Sequence, residues 1–150
     1  MFVGSIAGRL ATPYVGPYSS SKFALRSIAD CLRVELGPDG IAVSLIEPGS
    51  VKTPIWQKGR NARERLYEHL GNGSRPHYRA AVDTVIEGTE IEERDGLPVE
   101  AVAETVLHAL TAAKPRGQYL VGVPARIGSI VAILPATLRA NFIRRAMRLP

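Results

Sequence analysis

A tyrosine and a lysine stand close together near the start of this chain, and a serine precedes them. Tyr18 and Lys22 are four residues apart, so a helix over this stretch places both side chains on one face. An ammonium near a phenol favours the phenolate. Ser5 lies thirteen residues before Tyr18, and its hydroxyl could hold a carbonyl or alcohol oxygen. Together these groups could move a proton while another group moves a hydride.

The Tyr-x-x-x-Lys spacing alone is a weak signal, because short motifs often match by chance. The simple alternative is a tyrosine at a helix start and a solvated lysine one turn later. The neighbouring segments favour the catalytic interpretation, since Gly4-Ser5 precedes the pair, an apolar run over 41–46 follows it, and Pro48-Gly49 then leads to Thr53. This order resembles the short-chain dehydrogenase/reductase family.

The resemblance implies an α/β fold, the C-terminal part of a Rossmann-like doubly wound parallel sheet. Residues 1–3 would end the fifth strand of that sheet, 41–46 would form the sixth and 119–122 the seventh. The glycine-rich turn that binds dinucleotide phosphates in such folds is not found in the sequence. We therefore expect the chain to be a C-terminal portion of a dehydrogenase that is inactive by itself.

The resemblance also implies roles for individual residues. Tyr18 would be the general acid/base, Ser5 would bind the substrate oxygen, and Lys22 would favour the Tyr18 phenolate and hold the nicotinamide ribose. The cofactor would be NAD or NADP, because the residues that choose between them lie outside this sequence. The nicotinamide ring would be lined by Pro48, Gly49, Val51 and Thr53, with the Val51 backbone and the Thr53 hydroxyl addressing its carboxamide.

These residues also have structural interpretations. Ser5 could simply end a strand, Pro48-Gly49 could form an ordinary turn, and Thr53 is extended in any case because it precedes a proline. Residues 55–97 are expected to form a lid over the substrate, with helical stretches at 60–70 and 76–93. Trp56 in this lid is a candidate substrate contact, and packing within the lid is the alternative.

The helical periodicity predicts one helix over 17–36, which carries Tyr18, and another over 98–113. Cys31 is the single cysteine, so no internal disulfide can form, which fits a cytoplasmic location. We expect its thiol to be buried. No uninterrupted apolar run reaches the length of about 18 residues that a membrane span needs.

Two parts of the chain differ in charge. Residues 1–123 form the expected catalytic portion, whereas residues 124–150 contain five arginines and no acidic residue. Pro135 is expected to interrupt the amphipathic helix of this tail. The tail could pack on its own protein, lie on an anionic membrane surface or dock on another subunit. Nucleic-acid binding is disfavoured, because the charge is confined to the tail and no binding module is present.

The sequence thus predicts an NAD(P)-dependent oxidoreductase that interconverts a secondary alcohol and a ketone, with a steroid-, retinoid- or lipid-like substrate. The resemblance implies a homo-oligomer in the complete protein. The alternative is a non-catalytic truncated relative that dimerises with full-length members of the family.

Overall fold

Three short parallel strands form the centre of the fold. The computed structural model describes residues 1–59, 61 and 76–147. The strands are β1 (Phe2–Val3), β2 (Leu45–Pro48) and β3 (Gln118–Val121), in the order β1-β2-β3. Every residue of β2 is buried, as expected of a parallel strand that has a neighbour on each side and a layer on each face.

Helices follow or connect the strands. A 3-10 helix (Ile6–Gly8) comes directly after β1, and residues 55–59 are also helical. The longer helices are α1 (Gly16–Glu35), α2 (Pro76–Asp95), α3 (Val99–Thr111), α4 (Val123–Ala132) and α5 (Ala136–Ala146).

The core consists of two clusters, one on each face of the sheet. Successive residues of a strand point to opposite faces, so Leu45 and Ile46 of β2 enter different clusters. Leu45 packs with Ala29 of α1, whereas Ile46 packs with Ala109 of α3. The two helices therefore cover opposite faces of the sheet, which gives a layered α/β arrangement.

Most predicted elements are confirmed to within two residues at each end. Helix α1 matches the expectation of 17–36, α3 matches 98–113, and β3 matches 119–122. The helix predicted over 76–93 is confirmed as α2, whereas its role in a lid stays a prediction. The helix predicted over 60–70 lies almost entirely outside the described residues. Pro135 separates α4 from α5, as predicted.

Two predictions were wrong. The central strand runs over Leu45–Pro48 rather than 41–46, because Ile41 and Ala42 are exposed and the ladder continues to Pro48. A proline is tolerated there because β1 ends before that position, so no ladder bond is lost. Cys31 is exposed rather than buried, since it follows buried Ala29 by two residues, about 200° around the helix.

None of the helices in the described ranges is long and apolar enough to cross a membrane.

Candidate active site

The predicted site residues gather at one edge of the sheet. Because all three strands are parallel, their carboxyl ends meet at the same edge. Ser5 follows β1, Gly49 follows β2 and Gly122 follows β3. Open parallel sheets of α/β proteins bind their ligands at this edge.

Ser5 lies in a turn that its own side chain stabilises. Its backbone is extended, and its Oγ accepts a hydrogen bond from the Ala7 N–H at 3.1 Å as the cap of the 3-10 helix. The preceding Gly4 N–H donates to the Ile46 carbonyl at 2.7 Å, which ties the turn to β2. The capping bond uses a lone pair of Oγ and leaves its proton for an acceptor such as a substrate oxygen.

Tyr18 and Lys22 lie on α1 in the predicted relation. The Lys22 Nζ is 5.6 Å from the centre of the Tyr18 ring, and it donates to the Val3 carbonyl at 3.3 Å. The ammonium is thus held between the end of β1 and the phenol. Tyr18 is 46% exposed, so its ring is open to a ligand.

A backbone contact brings the Ser5 turn to α1. A Cβ added at Gly8 would lie 2.7 Å from the Lys22 carbonyl oxygen, so only a glycine permits this approach. Helix α1 starts with Gly16-Pro17, and a proline suits the first helical turn, where no N–H partner is needed. In the described part of the chain, the Ser5 turn and Tyr18 are joined by this packing and by no hydrogen bond between their side chains.

The segment after β2 is held from several sides. Pro48 is buried, and the Gly49 N–H donates to the Val121 carbonyl at 3.1 Å. Val51 forms an isolated parallel bridge with Leu97, which fixes the segment against the end of α2. Thr53 is half-buried in the bend that follows.

Trp56 packs back on this segment. Its indole Nε1 donates to the Val51 carbonyl at 2.8 Å, and its side chain is half-buried. The Val51 carbonyl therefore already accepts a hydrogen bond, whereas the Val51 N–H donates to no group of the described residues. A free N–H beside the half-buried Thr53 fits a carboxamide oxygen, and Lys22 fits a hydroxyl-bearing sugar. The residues present thus suit the nicotinamide end of a dinucleotide.

An ion pair beside the site was missed by the sequence reasoning. Glu47 of β2 is only 1% exposed, and both of its carboxylate oxygens accept from the Arg9 Nε, at 2.9 and 3.0 Å. Arg9 also donates to the Gln118 Oε1 at 2.7 Å. The pair joins residues 38 positions apart, so no local spacing could indicate it. The hydrogen bonds of Arg9 connect the Ser5 turn to β2 and β3.

A second missed carboxylate lies near the segment after β2. Glu92 of α2 forms a hydrogen bond with Ser50. Desolvation raises the pKa of Glu92 above its ordinary value, and the bond with Ser50 partly offsets this effect.

An open groove adjoins the loop between Ser5 and Tyr18. It has a volume of about 530 Å³ and is mainly apolar. Tyr14 in its wall has φ 68°, in the left-handed region, which is unfavourable for a residue with a side chain and often marks a functional site. The groove is lined by Ala11, Thr12, Pro13, Tyr14, Ala140, Ile143 and Arg144.

Comparison with known proteins places the chain in a family. A family model described as short chain dehydrogenase matches residues 1–64. An NADPH-dependent 3-dehydrocapnine reductase of Ornithobacterium rhinotracheale is 43% identical over 119 residues, which cover 79% of this chain and 40% of that protein. The mitochondrial D-beta-hydroxybutyrate dehydrogenase of Mus musculus is 33% identical over 123 residues, 78% of this chain and 36% of that protein.

A third relative is similar over a longer stretch. The probable short-chain type dehydrogenase/reductase VdlC of Helicobacter pylori is 29% identical over 147 residues, which cover 95% of this chain and 50% of that protein. The chain therefore spans between about a third and a half of the length of these relatives. The chain belongs to the short-chain dehydrogenase/reductase family. Its parallel sheet and the Ser5, Tyr18 and Lys22 arrangement agree with this assignment.

Proposed function

We propose that the complete protein to which this chain belongs is an NAD(P)-dependent oxidoreductase that interconverts a secondary alcohol and a ketone. The observation that carries the proposal is the position of the Lys22 ammonium, 5.6 Å from the Tyr18 ring at the carboxyl edge of the sheet. The Ser5 turn packs on the same helix through Gly8. These contacts support a site that holds one oxygen atom and moves its proton.

The residues divide the proton chemistry between them. Ser5 donates a hydrogen bond to the substrate oxygen and orients it toward Tyr18. In the oxidation direction Tyr18 accepts the hydroxyl proton, and in the reduction direction it returns the proton to the carbonyl oxygen. Lys22 stabilises the negative charge that Tyr18 carries between these events. A nicotinamide cofactor bound at Val51, Thr53 and Lys22 would supply or accept the hydride.

The substrate that we propose is largely apolar, such as a steroid, a retinoid or a lipid-like alcohol or ketone. The groove at residues 11–14 supports this class, because its lining is mainly apolar. Two of the relatives have the names NADPH-dependent 3-dehydrocapnine reductase and D-beta-hydroxybutyrate dehydrogenase. Only the first name specifies a cofactor, so both NAD and NADP should be tested with this protein. Trp56 remains a proposed substrate contact in addition to its bond with Val51.

The test is Tyr18→Phe in the complete protein. Removal of the hydroxyl should lower kcat at least about a hundredfold, because the variant has no group for the proton transfer. The dissociation constant for the nicotinamide cofactor, measured by fluorescence titration, should change little. Full activity in Tyr18→Phe would remove Tyr18 from its role and with it the proposed reaction.

A second candidate is a non-catalytic relative that pairs with a full-length dehydrogenase. It is favoured by the large apolar side chains that α1 and α3 expose, since Val34 is 78% exposed and Leu110 is 63% exposed. The same faces would serve a homo-oligomer of the catalytic protein. Reading the DNA upstream of Met1 for an in-frame segment of about 120 residues separates the two candidates. A glycine-rich turn there favours the enzyme, and stop codons favour the non-catalytic partner.

A further inference from the structure

Helix α4 buries its small residues and exposes its large aliphatic ones, which is the reverse of the usual distribution. Its inward face is small, with Ala125 and Gly128 buried beside Val131. Its outward side carries large aliphatic residues at helical spacing, and these are exposed by 51% to 82%. The outward residues are Val123, Ile127 and Ile130 of the helix and Ile133, which directly follows it. A helix that only packs on its own protein turns its large apolar side chains inward.

The inward face is small because α4 lies very close to the 3-10 helix. A Cβ added at Gly128 would lie 2.7 Å from the Ile6 Cγ1. This contact leaves no space for a larger residue, so rotation of α4 to bury its isoleucines is excluded. The outward orientation of the aliphatic residues is therefore imposed by the fold.

Helix α5 extends the same kind of surface. Leu138 and Phe142 are one turn apart and are 56% and 46% exposed. The corner between the two helices is held by Arg139, which donates to the Ala132 carbonyl at 2.9 Å. We call the exposed apolar surface of both helices the α4–α5 face. It comprises Val123, Ile127, Ile130, Ile133, Leu138 and Phe142.

The charged residues of the segment that carries this face are all positive. Residues 124–150 include five arginines and no acidic residue. Arg126 follows the first turn of α4, and Arg145 lies one turn beyond Phe142 on α5, so both flank the face. Within the described residues neither guanidinium has a carboxylate partner. An apolar surface with unpaired arginines at its border is complementary to an anionic lipid surface.

We propose that the α4–α5 face binds the surface of a bilayer that contains anionic lipid, without crossing it. The inward side of α4 contacts Ile6, which directly follows Ser5. Residues of α5 form the other wall of the open groove at residues 11–14. Binding through this face would therefore hold the carboxyl edge of the sheet next to the lipid, where a poorly soluble substrate is concentrated.

The test is co-sedimentation of the complete protein with vesicles of phosphatidylcholine alone or mixed with phosphatidylglycerol. We expect binding to the anionic vesicles only, and weaker binding as salt is added. Arg126→Gln and Arg145→Gln should each lower the partition coefficient about fivefold. The double variant Ile127→Ser/Ile130→Ser should lower it about tenfold or more, because both side chains lose their apolar burial in lipid.

Two variants away from the face serve as controls. Ile41→Ser removes an aliphatic residue of similar exposure just before β2, and Lys114→Gln removes a positive charge from another part of the surface. Both should bind like the unsubstituted protein. The altered positions are exposed, so circular dichroism and the unfolding midpoint should not change.

Three outcomes would overturn the proposal. They are absence of binding to anionic vesicles, equal binding to both vesicle types, and equal losses in the control variants. If the protein does not bind vesicles and light scattering shows that Ile127→Ser/Ile130→Ser dissociates an oligomer, the face is an interface between copies. Vesicle binding is measured without turnover, so its result tests this proposal separately from the proposed reaction.

Discussion

Lys22 is the residue that connects the sheet with the candidate chemistry. Its ammonium bonds to the last residue of β1 and lies over the ring of Tyr18. The bond with Val3 holds the charge in place without neutralising it, because the partner is a backbone carbonyl. A cation held in place in this way stabilises a nearby negative charge more than a mobile side chain would.

We expect Lys22→Met in the complete protein to lower kcat for alcohol oxidation at least about tenfold. The negative charge that Tyr18 carries during the proposed proton transfer would lose a nearby cation. The measurement is steady-state kinetics in the oxidation direction with the cofactor at saturation. Lys22→Arg keeps the charge and should restore much of the rate. An unchanged kcat in Lys22→Met, with only a raised KM for the cofactor, would show that the lysine acts only on cofactor binding.

At the scale of the elements, the Arg9–Glu47 pair joins three segments of the chain. It connects the turn after β1 to β2, and Gln118 extends the connection to β3. Glu47 is almost completely buried, so its charge requires the three hydrogen bonds from Arg9. Together with the Gly4–Ile46 bond and the Gly8 contact, the pair positions the Ser5 turn.

Removing one partner of this pair should be strongly destabilising. We expect Arg9→Met in the complete protein to lower the free energy of unfolding by about 3–5 kcal/mol, because the Glu47 carboxylate is left buried and unpaired. Urea denaturation followed by circular dichroism measures the change. The double variant Arg9→Met/Glu47→Leu should recover most of the loss. A loss below about 1 kcal/mol in the single variant would place the pair with weak surface ion pairs.

The contact between the 3-10 helix and α1 leads to a second prediction at this scale. Gly8→Ala should destabilise the protein by about 1–3 kcal/mol, since the added methyl group meets the Lys22 backbone. It should also lower kcat, because the Ser5 turn must move away from Tyr18.

Gly88→Ala on α2 is the matched control for this substitution. A Cβ added at Gly88 meets nothing within 4 Å, so alanine within this helix should be neutral or stabilising by up to about 1 kcal/mol. Unfolding midpoints and kcat should be measured for both variants. Equal effects of the two would contradict the close approach at Gly8.

At the scale of the whole molecule, several surfaces of the 150-residue chain lack partners within the described residues. In the described sheet β1 pairs only with β2, so its other edge is free. The outward faces of α1 and α3 carry exposed Ile28, Val34, Leu107 and Leu110. An open sheet edge and apolar helix faces both favour association.

We therefore expect the 150-residue chain by itself to associate and to bind nicotinamide dinucleotides poorly. The first expectation follows from the free edge of β1 and the second from the absence of a glycine-rich phosphate-binding turn in this sequence. Light scattering after gel filtration and titration with NAD and NADP measure the two properties. A monodisperse monomer that binds either cofactor at micromolar affinity would contradict both.

Elements with a local signal were predictable from the sequence. The apolar periodicity of α1, its Pro17 start and the spacing of Tyr18 and Lys22 depend on residues within a few turns of each other. The order of the serine, tyrosine and Pro-Gly segments was enough to indicate the family. The ends of β2 were not predictable in this way, because the ladder with β1 and β3 determines which residues of an apolar run are paired.

Only the tertiary structure decided the remaining features. The Arg9–Glu47 pair, the approach of Gly8 to Lys22 and the bond from Trp56 to Val51 depend on which segments the sheet brings together. The same holds for the exposure of Cys31 and of the isoleucines of α4. An amphipathic pattern shows that a helix has two faces, but the tight contact of Gly128 with Ile6 decides which face turns inward.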